Sequence, residues 1–210
     1  GNLSLKASEA SDEIRIKKLI PQGDDGIFLI SQESDIVIDQ VQVFGSTKIN
    51  GQEGGKTTRI ENLFVESGSE FTPTNLIVSA VKIGLNSVLR LNSQTVGTNR
   101  TQITVFYNRT QYTNRHFPIE ISEVLPDFSN ARIIVDQMND GAFIQEVEER
   151  IPIASFDQID SENAEKACND LRVKYESRTG FNKAVCEENG NTTVNMFAVK
   201  DTSKPKSKKL

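Results

Sequence analysis

Cys168 and Cys186 are the only cysteines in the chain. Three kinds of chemistry are open to such a pair: a disulfide, two free thiols in a core, or shared ligation of a metal. Metal is the weakest of the three, because His116 is the sole histidine and no CxxC spacing completes a site. Ala164, Ala167, Cys168, Leu171 and Tyr175 recur at helical spacing. That spacing predicts a helix capped by Asp160 or Ser161 and running to about Ser177, with Cys168 on its buried stripe. Phe181 to Cys186 reads as a strand. A helix packed on a strand can hold two Cα atoms within the ~4.4–6.8 Å that a disulfide needs, so the bridge is the reading adopted. It implies an oxidising compartment.

Carboxylates offer the next chemistry. Phe143–Val147 reads as a strand that sends Glu146 and Glu148 to one face, and Asp136 and Asp140 lie on the preceding hairpin arm. Paired carboxylates at this spacing suit glycoside hydrolysis or a divalent cation; the plainer reading is an acidic solvent face that keeps a sheet edge soluble. Tyr107 and Tyr112 fall close to His116 and form the first place to look for a ligand site, although a lone histidine at the end of a β region is ordinarily a surface or packing residue. Asp24 and Asp25 lack the later carboxylates of a calcium loop and read as a turn. No phosphate-binding or dinucleotide motif is present, and neither a cofactor nor a metal is expected.

The elements that would position these groups are almost all strands. Val41-Gln42-Val43 leads to Gly45-Ser46 and Ile49, Leu63-Phe64-Val65 to Gly68-Ser69 and Phe71, and Ile83-Gly84-Leu85 to Asn86-Ser87 and Leu89. A fainter copy follows at Ile103-Thr104-Val105 with Asn108. Each copy joins an apolar pair to a small residue that tolerates left-handed backbone, then a serine, then a return to apolar. The interval of roughly 20 residues matches a stacked β-coil repeat. Strands are expected at 27–30, 36–44, 60–65, 76–83, 88–91 and 103–107. The expected fold is mainly β: a short β-solenoid-like domain over 26–125, with an antiparallel β-sandwich or jelly roll as the alternative. A ββαββ unit is expected to follow over 126–200, preceded by a flexible leader and short strand over 1–25. The lysines at 200, 204, 206, 208 and 209 read as a solvated, disordered tail over 201–210.

The 210 residues carry a formal charge of −5. This argues against a general nucleic-acid binder, which needs a basic face to displace counterions. No run reaches the ~18 apolar residues of a membrane span. The start at Gly1-Asn2 suggests processing, with an export signal or N-terminal anchor removed. Four N-x-S/T sequons are about what a chain this rich in Asn, Ser and Thr contains by chance, so they carry no argument. The functional expectation is a non-catalytic extracytoplasmic protein: periplasmic, secreted or cell-surface, serving adhesion, assembly or envelope structure, with a protein or glycan partner. The alternative is a carbohydrate-binding or carbohydrate-active β module.

Overall fold

Apolar-x-apolar spacing puts two aliphatic side chains on one face of a strand, and a run of such strands buries them only if the faces are brought together. The structure, a computed structural model, describes residues 3–4, 13–22, 27–30, 34–52, 56–91, 102–107, 117–122, 131–137, 150–157, 161–176, 179–190 and 192–201. In chain order the elements are β1 (Leu3–Ser4), β2 (Glu13–Ile16), β3 (Ile27–Ile30), β4 (Asp35–Val43), β5 (Ser46–Asn50), β6 (Thr58–Val65), β7 (Glu70–Thr74) and β8 (Ile77–Ile83). There follow β9 (Val88–Leu91), β10 (Gln102–Tyr107), β11 (Ile119–Ser122), β12 (Arg132–Gln137), β13 (Arg150–Asp157), α1 (Ser161–Asp170), β14 (Arg172–Tyr175), β15 (Lys183–Glu188) and β16 (Thr193–Val199). The chain is mostly β, in two sheets, with one helix among the described residues.

From β1 to β15 successive strands alternate between the sheets; β16 then stays in the same sheet as β15. One sheet has the order β1-β3-β5-β7-β9-β11-β13-β16-β15, and the other β14-β12-β10-β8-β6-β4-β2. The strand pairs among β1 to β14 are parallel; antiparallel pairing among the described residues is confined to β13·β16 and β15·β16. The expected division at 125/126 falls between β11 and β12, and β12 and β13 pair in parallel with β10 and β11. Within the expected leader, Leu3–Ser4 pair with Leu29–Ile30.

The registers stack like on like. Leu19, Val41, Leu63, Val81, Ile103, Ile133 and Val173 form one column, each beside the next on an adjacent strand. Val43, Val65, Ile83, Val105, Val135 and Tyr175 form a second. Phe71, Leu89, Ile119, Ala154, Met196 and Cys186 line up across the facing sheet. All but the end members Leu19, Val173, Tyr175 and Cys186 are buried. Full burial of one such large apolar side chain contributes about 1.5–3 kcal/mol, so these columns supply a large share of the driving force.

The corner between the sheets explains the repeated small residue and serine. Gly45, Gly68 and Asn86 have φ of 73°, 77° and 55°, the region where a larger side chain strains the backbone. Ser69 Oγ accepts the Gly45 N–H at 3.1 Å, and Ser87 Oγ accepts the Ser69 N–H at 3.3 Å while donating to the Glu66 carbonyl at 2.6 Å. Each serine therefore satisfies backbone groups of the pass before it. Gly51 has a separate reason: a Cβ there would lie 1.9 Å from the Asn75 carbonyl oxygen.

The C-terminal third differs from expectation in two places. The helix stops at Asp170 instead of continuing to about Ser177, and residues 172–175 form β14. Asn169 and Asp170 are poor helix interiors. Val173 and Tyr175, two apart, extend the columns above Ile133 and Val135, so sheet pairing overrides the helical spacing. The second difference is β13, a strand that Pro152 obscures in the sequence; the register shifts between Pro152 and Ala154, and a bulge is where a strand accommodates proline. The expected strand at 143–147 lies outside the described residues.

Candidate functional site

Helix α1 is built to face inward on one side only. Ala164 and Cys168 are buried, as is Leu171 just past its end, while Glu162, Glu165, Lys166 and Asp170 are exposed. The helix packs on β15 and β16, and Cys168 forms a disulfide with Cys186 across a Cα–Cα distance of 6.2 Å. Cys186 sits on β15, the outermost strand of its sheet, which pairs with β16 alone among the described strands. The sulfur bridge thus fixes helix and edge strand to each other. Nearby, Arg150 makes a two-pronged ion pair with Glu187 at 3.0 Å for each bond, and its guanidinium lies 3.9 Å from the Phe197 ring centroid.

Of the expected carboxylate cluster, Asp136 lies at a half-buried position near the end of β12; Asp140, Glu146 and Glu148 lie outside the described residues. Tyr107 is the last residue of β10, and Tyr112 and His116 lie outside the described residues. Among the described residues, no group of three His, Cys, Asp or Glu side chains is placed to hold a metal ion. No helix among them is long and apolar enough to cross a membrane.

The titration perturbations follow the packing. The Asp35 carboxylate accepts the Thr57 N–H at 2.7 Å, which holds its pKa below the ordinary value. Burial pushes the Tyr175 hydroxyl well above its ordinary value, and that oxygen has no hydrogen-bond partner among the described residues. Hydrogen bonding to Glu70 raises the Arg90 pKa; Arg90 also pairs with Glu120 on the next strand, making a Glu-Arg-Glu ladder along the outer face of the nine-stranded sheet. Such half-exposed pairs contribute about 0–1 kcal/mol each.

The outer face of the seven-stranded sheet carries a pattern that sequence reading missed. Two outward columns flank the Leu19–Val173 column. One runs Gln40, Asn62, Ala80, Gln102, Arg132, Arg172, and the other Gln42, Phe64, Lys82, Thr104, Ile134, Lys174. Lys18 and Ile20, on either side of Leu19, extend them past β4. Neither column contains a carboxylate. Arg132 and Arg172 are direct partners on adjacent strands, both exposed, and neither forms an ion pair among the described residues. Lys82 is exposed and sits 5.3 Å from the Phe64 ring centroid. Carboxylates border the strip on both sides. Asp39 and Glu61, paired with Arg15 and Arg59, lie along one border. Glu66, Asp136 and Glu176 lie along the other, with Glu176 paired to Lys174 at 2.7 Å. The signal is present in the sequence as a cation next to an inward aliphatic, but the members sit a full pass apart and become neighbours only once the register is known.

No protein-family model, curated protein or solved structure matches the chain.

Proposed function

We propose that this chain is a non-catalytic structural module of the extracytoplasmic space, serving adhesion or assembly at a cell envelope or surface. Its body is a short β-solenoid: alternating strands wind through two sheets, and identical chemistry repeats at each level of the stack. The observation that carries the reading is the in-register column of aliphatic residues from Leu19 to Val173, closed at one end by a helix that a disulfide ties to the edge strand. A stack of this kind presents long, flat, rigid outer faces, which suits a scaffold whose surface does the work. The bridge supports an oxidising compartment, since cytosolic reductants keep most thiols reduced.

The test is thiol accessibility in protein taken from its native source under alkylating conditions. Expected is an unreduced protein with neither Cys168 nor Cys186 alkylated, recovered with the envelope or secreted fraction. Two alkylated thiols in a cytosolic fraction would refute the assignment.

A further inference from the structure

We propose that the outer face of the seven-stranded sheet binds a linear acidic polysaccharide, a uronate or sulfate-bearing chain, with Arg132 and Arg172 as its principal anion contacts. The inference rests on the scaffold reading and names the partner of that scaffold.

Like charges placed directly opposite on adjacent strands are destabilising. Arg132 and Arg172 occupy such a pair, with backbones about 4.8 Å apart and no carboxylate between them. The chain as a whole is acidic, at −5, so the two cations are not drawn from a surplus. An anion seated between them removes the repulsion and gains two guanidinium forks, the geometry suited to carboxylate or sulfate.

The width of the strip selects the occupant. It is two columns broad, and side chains two apart on a strand are about 7 Å from each other. The edges of the strip are largely neutralised: Asp39 and Glu61 are paired with Arg15 and Arg59 on one side, and Glu176 with Lys174 on the other, so the arginine pair inside the strip is left as the strongest anion contact of this face. A duplex, whose major groove alone is about 12 Å wide, or an anionic membrane plane would lie over those neutralised edges and gain no further anion contact there; a single sugar chain fits within the strip. The large apolar residues exposed among the described positions are Ile20 and Phe44, both at the β2 end, so the face lacks the spread of apolar anchors that a membrane surface requires. Length fits as well. Seven strands at about 4.8 Å per step give a strip of roughly 30 Å, with Lys18, Lys82 and the arginine pair distributed along it. Between them Gln40 and Gln102 offer amides to sugar hydroxyls.

The experiment uses the full chain at about 0.15 M salt, titrated by calorimetry with heparin and with polygalacturonate. Dextran, phosphatidylglycerol vesicles and a short DNA duplex serve as comparison probes. Expected is saturable binding of at least one acidic polysaccharide, weakened tenfold or more in Arg132→Gln/Arg172→Gln and unchanged in Lys183→Gln, an exposed lysine on β15 away from the strip. The double variant should melt at or above the parent temperature, since it removes a repulsive pair; a separate Lys82→Gln variant should give a smaller loss of binding. Absence of binding to both acidic polysaccharides overturns the proposal, as does binding that survives the double substitution, or equally tight binding of vesicles or duplex. None of these outcomes alters the thiol state or compartment on which the scaffold reading is tested, so the two fail separately.

Discussion

Removing the Cys168–Cys186 bridge should cost the protein about 3 kcal/mol. The loop it closes is 18 residues long, and the chain-entropy relation for a loop of that size gives about 3 kcal/mol at 25 °C, acting mainly on the unfolded ensemble. Packing in the folded state changes little, because Cys168 is buried beside Ala164 and Leu171 and these stay in place. For a chain of this length, that loss corresponds to a fall in melting temperature of about 6–12 °C. The assay is urea unfolding of parent protein, reduced parent and Cys168→Ala/Cys186→Ala, followed by far-UV circular dichroism. The reduced and substituted forms should agree within about 1 kcal/mol and show a slightly larger m-value, since the unlinked unfolded chain exposes more surface. A loss below about 1 kcal/mol would refute the reasoning. It would mean that the α1–β15 region is not part of the cooperative unit, and that the bridge constrains a segment already free to open.

Leu63, buried between Val41 and Val81 in its column, should cost about 2–5 kcal/mol when changed to Ala; Phe44→Ala, at an exposed position, should fall within about 0.5 kcal/mol of the parent in the same urea titration. Gly68→Ala places a Cβ where φ is 77° with open space around it, so backbone strain alone acts and a loss of about 1–2 kcal/mol is expected, read by thermal melting. Burial raises the Tyr175 pKa. The unfolded chain loses that proton near pH 10 while the folded chain retains it, so stability falls as pH rises above that point. Phenolate absorbance should report Tyr175 ionising only with unfolding, and Tyr175→Phe should shallow the alkaline limb of the stability curve.

The body of the fold was readable because its chemistry is local. Strands expected at 27–30, 60–65 and 88–91 correspond to β3, β6 and β9, with boundaries within two residues. The left-handed corners at Gly45, Gly68 and Asn86 were visible as small residues ahead of a serine. Legibility failed where the deciding partner is remote. Leu171 and Tyr175 carry helical spacing, yet Ile133 and Val135 draw the segment into a sheet. Pro152 reads as a strand breaker until the bulge that accommodates it is seen. The Arg132–Arg172 juxtaposition is a product of register and has no local signature at all. Cys168 and Cys186 were the exception among distant pairs, because no other cysteine competes for either.

Pairing in the seven-stranded sheet is strictly neighbour to neighbour: β6 meets β4 and β8, and β10 meets β8 and β12. Cooperativity in such an array is one-dimensional, so the free energy of opening should vary with position along the stack instead of taking one global value. The terminus near β2, where Ile14 and Ile16 are only half covered, should fray first. At the opposite terminus the covalent clasp holds the last levels shut, and amide exchange should slow progressively from one to the other.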